Sequence, residues 1–191
     1  MLLGTINDPS GYQWGVVIGA SLVAAVVDVL QRRIPNFITL PVAVGAVVYS
    51  LFFGNIGDCI GAMLLLMAPY LLLFLFAGGG AGDAKMMGAI GAWLGFEAGL
   101  VVLVAVAVTG AVFGALNLVI HGQLRKGAGR IATAFYVTMA GLCVGPRGWS
   151  LLRSDVDLEP KPQDPRLTIA YGPAIFIGVC IGAFVVHLWK G

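Results

Sequence analysis

The sequence predicts an all-α membrane protein, a polytopic bundle of about six transmembrane helices, one of them short and opening at a glycine-rich break, with a polar loop ahead of the last span. Three observations carry this expectation. Hydrophobic residues fill 59% of the 191 positions and charged residues only 10%, against about 25% charged in soluble domains. The apolar residues come in runs close to the ~20 that a helix needs to cross a ~30 Å hydrocarbon layer, and these runs are too continuous for the alternating strands of a barrel. Most of the 28 glycines lie within or between the same runs rather than in hydrophilic linkers. A chain of this length fits one domain, 1–191.

The first run, about 12–30, is preceded by Asp8 but by no Lys or Arg, so it reads as a retained span rather than a cleaved signal peptide. Runs at about 37–53 and 56–77 flank the short polar turn Gly54-Asn55 and form a hairpin of two spans. The string from Gly78 to Asp83 is too glycine-rich to favour helix. The apolar stretch from Ala84 to Ile120 that follows it would be ~55 Å long as one helix. It is therefore divided around Gly95 to Gly99 into spans of about 84–94 and 98–120. The first of these, only ~17 Å long, has to start inside the membrane, thin the bilayer, or line a cavity.

A polar stretch at about 121–167 precedes the last span, about 170–189. Within it, residues 131–144 are apolar but too few to cross, and read as an interfacial helix; Asp155 to Pro165 reads as a solvated loop. Basic residues accumulate in cytoplasmic loops. With six spans and the amino terminus outside, every Lys and Arg except Lys190 falls on the cytoplasmic side, ten of the 11. A further span at 131–144 would move four of them outside.

Composition also narrows the chemistry. A net charge of +2 with localised basic residues gives no nucleic-acid footprint. Cys59, Cys143 and Cys180 have neither C-x-x-C spacing nor a histidine cluster nearby, so no disulfide framework, metal site or cofactor is expected. His121 and His187 stand at opposite ends of spans and read as interface residues. Asn117 is suited to a hydrogen bond between helices, and Gly88, Gly91 and Ala92 to close helix packing. Trp14, Trp93 and Trp189 mark span ends as an aromatic belt would. Asp58 and Glu97 fall in non-cytoplasmic turns, where hydration accounts for them.

Carboxylates inside apolar segments are costly and are functional candidates by default. Asp28 lies near the cytoplasmic end of the first span, and Asp83 opens the short fourth one at the same face. Two intervening spans return the chain to that face, so the two side chains can meet. Facing carboxylates suit peptide hydrolysis, with one ionised as base and the other protonated on the scissile carbonyl; held close, the two are expected to share a proton. The bland alternatives are an Asp28–Arg32 ion pair on one helical face and an Asp83 that caps the fourth helix. Pro35 pushes the residue before it out of helical geometry and ends the first span near Arg33, and Asn36 is an N-cap candidate for the second. Gly80 and Gly82 permit close backbone approach at Asp83, while Lys85 reaches toward the headgroups or tunes that carboxyl.

Asp28 six residues before Ile34-Pro35-Asn36, the string Gly80-Ala81-Gly82-Asp83-Ala84-Lys85 followed by Met86 to Gly95, and Tyr171-Gly172-Pro173-Ala174 opening the last span together resemble the type IV prepilin peptidases. Related sequences often have proline where this chain has Ala170. The resemblance implies that Asp28 and Asp83 are the catalytic pair, supported by Gly80, Gly82, Lys85, Pro35, Asn36 and Tyr171. It also implies a single-span pilin-like precursor as substrate, cut after its basic leader at the cytoplasmic face of a bacterial or archaeal cytoplasmic membrane, without a cofactor. Longer relatives begin with a cytoplasmic domain of paired cysteines linked to N-methylation. This sequence has none, so the expectation is a peptidase-only form like those that process Flp-type pilins of tight-adherence systems. The competing expectation is a small proton-coupled transporter, whose duplicated halves with paired broken helices are not visible in the sequence.

Overall fold

The computed structural model describes residues 9–77, 80–120 and 171–190. The interfacial helix expected at 131–144, the loop at 155–165, Cys143, His121, the glycines 78 and 79 and the side chain of Asn117 lie outside the described residues.

Five helices follow in order: α1 (Gly11–Gln31), α2 (Asn36–Phe53), α3 (Ile56–Ala77), α4 (Ala81–Ile120) and α5 (Gly172–Lys190). All five are long and apolar enough to cross a membrane, and no strand occurs among the described residues. Large apolar side chains such as Leu30, Phe52, Phe53 and Trp189 are more than three-quarters exposed, which suits acyl chains rather than water. The protein is a multi-pass membrane helix bundle.

Local signals set most helix ends. Gln13 accepts the Ser10 N–H through Oε1 at 2.7 Å and so caps α1 from within its first turn. α1 stops where Arg32 turns left-handed, φ 54°, and returns its amide to the Asp28 carbonyl at 2.7 Å. Asn36, the expected cap of α2, is instead its first helical residue; extended Pro35 takes the cap position, because its ring fixes the entering backbone. Asn55 caps α3 by accepting the Gly57 N–H at 2.9 Å. α4 begins at Ala81, earlier than the expected Ala84. The Asp83 amide returns to the Gly80 carbonyl at 3.2 Å, and an acidic side chain in a first turn offsets part of the about 1 kcal/mol cost of helical glycine.

Gly95 breaks α4. Its torsions, φ 72° and ψ −172°, are open to glycine but not to L side chains. The chain reverses there: a Cβ added at Gly99 would lie 3.9 Å from the Gly91 Cα, whereas eight residues of straight helix would hold these positions about 12 Å apart. α4 is therefore two antiparallel arms, 81–94 and 96–120, and the described residues form six helical segments, with the long apolar stretch divided as anticipated.

With no hydrophobic drive between helices inside lipid, close approach of small residues has to supply the packing. Gly91 sits on the Ala62 carbonyl, where an added Cβ would be 2.5 Å away, and Gly88 meets Met67 of α3 at 3.4 Å. Gly178 and Gly182 of α5 pack in the same way on Val106 and Val102 of the second arm of α4. The first arm is enclosed, with Met86, Met87 and Ile90 fully buried. One short central segment is thus wrapped by longer ones, and Asp83 stands at its mouth.

Candidate active site

Val17, Ser21, Ala24, Ala25 and Asp28 form the buried stripe of α1, with the helical spacing of a core face. Asp28 is therefore carried inward, 5% exposed. A carboxylate in such surroundings needs a donor. It finds the backbone N–H of Gly172, which reaches its Oδ2 at 2.7 Å. That amide belongs to the first turn of α5, where no intrahelical partner exists for it.

Asp83 occupies the first turn of α4. The Gly80 amide donates to its carboxylate, and a Cβ at Gly80 would come within 2.6 Å of Oδ2. Gly82 leaves room for the connection between α1 and α2 to close on this turn; a Cβ there would lie 2.8 Å from the Ile34 carbonyl oxygen. Lys85 donates from Nζ to Asn36 Oδ1 at 2.9 Å, at the exposed edge of the same contact. Each aspartate is thus held by a glycine amide at a helix start.

The fold brings the two carboxyl groups near enough for Asp83 to lie within the field of Asp28. Tyr70 and Tyr171 also lie within the field of Asp83. Their rings meet edge to face, 6.2 Å apart, and the Tyr171 hydroxyl occupies space that a side chain at Gly110 would fill. The group is recessed. Beyond the level of Tyr171, the second arm of α4 runs on from Gly110 to Ile120, about 15 Å of helix. From Tyr70, α3 runs on to Ala77, about 10 Å.

A second polar cluster lies at the opposite end. A cavity of about 100 Å³ is lined there by Gln13, Ser50, Asn55, Asp58, Cys59 and Trp93, among others. The break at Gly95 strips the last carbonyls of one arm and the first amides of the next of helical partners, and neighbouring helices supply replacements. Gln13 Nε2 donates to the Trp93 carbonyl at 2.9 Å. Asp58 Oδ1 accepts the Phe96 amide at 3.4 Å. Trp93 donates from Nε1 to the Val42 carbonyl at 2.8 Å and stacks on Tyr49. Asp58 is therefore more than a hydrated turn residue: it satisfies the start of the second arm. Glu97 is exposed. Among the described residues, no group of three or more His, Cys, Asp or Glu side chains is placed to hold a metal ion.

Sequence reasoning had singled out Asp28 and Asp83. It missed Gly172, Tyr70 and Gln13 and undervalued Asp58. Gly172 stands inside the Tyr171-Gly172-Pro173 string, which was the available signal; Tyr70 and Gln13 are defined only by partners remote in sequence.

Two acidic residues from different helices, Asp28 buried and Asp83 half-buried, lie within each other's field at one end of a transmembrane bundle and define the class: a polytopic membrane protein with carboxyl groups inside its helical core. Residues 15–115 match the type IV leader peptidase family, and the chain belongs to that family. It is 37% identical over 97 residues to a prepilin leader peptidase/N-methyltransferase of Aeromonas salmonicida (strain A449), covering 46% of this chain and 33% of that protein. It is 32% identical over 146 residues to a protein of the same description from Burkholderia pseudomallei (strain 1026b), covering 66% of this chain and 47% of the other. The chain thus matches between a third and a half of the length of these relatives. No solved structure matches it significantly.

Proposed function

We propose that the protein is a membrane aspartic endopeptidase that removes the leader peptide from single-span pilin-like precursors, with Asp28 and Asp83 as its catalytic pair. One observation carries the reading: Asp28 of α1 and Asp83 of α4, distant in sequence, lie within each other's field at one end of the bundle, Asp28 buried and Asp83 half-buried. Membership of the leader peptidase family supports the same chemistry.

In this mechanism a water molecule sits between the carboxyl groups. The ionised one removes its proton as the oxygen attacks the scissile carbonyl, and the protonated one donates to the carbonyl oxygen. The tetrahedral adduct collapses as the C–N bond breaks: the proton taken from water passes to the leaving amine, and a hydroxyl of the adduct returns its proton to the carboxylate that had protonated the carbonyl oxygen, which restores the pair. A low-dielectric recess strengthens each of these electrostatic contacts. The site faces the cytoplasm in this proposal, supported by the concentration of Lys and Arg in the loops at that end. It extends to Flp-type precursors and to cleavage without methyl transfer.

The test is co-expression with a candidate precursor and mass spectrometry of the pilin amino terminus. Cleavage to an unmethylated terminus is expected with the native chain, and the uncut leader with Asp28→Asn or Asp83→Asn at equal membrane abundance. Normal processing by either variant rejects the proposal.

A further inference from the structure

We infer that Gly172 is a positioning residue of the catalytic pair, its backbone amide fixing the orientation of Asp28 while its missing side chain lets the carboxylate reach that amide. The inference rests on the proposed role of Asp28 and goes beyond it, because it assigns a task to the start of α5. The contact is a short, buried hydrogen bond between residues 144 positions apart, 2.7 Å from Gly172 N to Asp28 Oδ2. A donor to an ionised oxygen at this length is of the strong, charge-assisted kind. Pro173 has no N–H, which leaves the Gly172 amide with one competitor fewer in the first turn of α5.

Space at the contact admits only glycine. A Cβ on residue 172 would lie 2.8 Å from the Asp28 Cβ, 2.9 Å from the Ala25 Cα and 3.1 Å from Asp28 Oδ2. Two of these three atoms belong to Asp28 itself and the third to the backbone of α1, so relief requires moving the carboxylate or separating the helices. The tight glycines further along α5 have a different function. Gly182 would meet Val102, 2.7 Å from its Cγ2 and 3.1 Å from its Cα, and touches neither aspartate. It is the control for helix packing alone.

The experiment measures steady-state cleavage of a purified pilin-type precursor by the full chain in membranes, for the native protein and for Gly172→Ala, Gly182→Ala and Asp28→Asn. A displacement of about 1 Å in a reacting group costs about 100-fold in rate. Gly172→Ala is therefore expected to lose about 100-fold in kcat with KM nearly unchanged, whereas Gly182→Ala loses thermal stability and keeps its kcat per folded molecule. Equal kcat losses in the two alanine variants, or full activity in Gly172→Ala, overturn the inference. Normal cleavage by Asp28→Asn overturns the function proposal and the inference with it; an inactive Asp28→Asn beside a fully active Gly172→Ala removes the inference alone. A second measurement avoids the question of folding. In [15N]glycine-labelled native protein the Gly172 amide resonance is expected to move on Asp28→Asn and to stay in place on Asp58→Asn, and an unmoved resonance in Asp28→Asn overturns the contact.

Discussion

The two ends of the bundle surround their acids differently. At the Gly95 end, side chains serve the backbone: Gln13 and Asp58 take up the carbonyl and amide that the reversal leaves without helical partners. At the other end amides of Gly80 and Gly172 donate to Asp83 and Asp28, in the same direction as at Asp58, but these two acceptors lie within each other's field. Asp58 and Asp83 both stand in the first turn of a helix, and by sequence either suits capping. The neighbouring charge separates them. Asp58 meets the Phe96 amide at the helix break, whereas Asp83 shares its surroundings with a second carboxyl group, that of Asp28, as acid–base chemistry on a peptide requires.

Substitutions at each end can break that contrast. The largest effect is expected for Asp83→Asn, which should lower leader removal by on the order of 100-fold or more without loss of membrane-inserted protein, read by the gel shift of a co-expressed precursor. Asp58→Asn should leave the cleavage rate of folded protein intact; equal losses at both positions would erase the distinction. Next comes the central packing. Gly91→Ala brings a Cβ onto the Ala62 carbonyl and should destabilise by about 1–3 kcal/mol, measured as a lower thermal midpoint in detergent. Gln13→Ala removes the partner of the Trp93 carbonyl and should cost about 1 kcal/mol, with kcat preserved at low temperature. The smallest effect, within about 0.5 kcal/mol, is expected for Lys85→Ala, whose hydrogen bond to Asn36 is exposed; a large loss of activity there would give this lysine a role in the site.

Much of this was legible in the sequence because lipid imposes a simple rule of length and polarity. The helical class, the hairpin turn at Gly54-Asn55 and the division of the long apolar stretch all follow from it, and buried aspartates are conspicuous in such segments. What escaped was set by contacts in space. Glycine composition argued against helix at 81–83, yet the amide of Asp83 closes a turn onto Gly80. Asn36 had the side chain of a cap, but Pro35 had already fixed the entering backbone and Lys85 takes its oxygen. Gly172, Tyr70, Gln13 and Asp58 acquire their meaning from partners on other helices, and local patterns do not carry that information.

The reversal at Gly95 makes the first arm of α4 a strut, its far foot clamped by Gln13 and Asp58 and its near foot carrying Asp83. Ten residues from Asp83 to Trp93 give it about 15 Å, half the ~30 Å hydrocarbon thickness. A strut of fixed length cannot stretch with the bilayer, so thicker lipid deepens the burial of the acid and thinner lipid lifts it toward water. If Asp83 acts as proposed, acyl-chain length is expected to alter the rate of leader cleavage, which reconstitution in short-chain and long-chain phosphatidylcholine would expose.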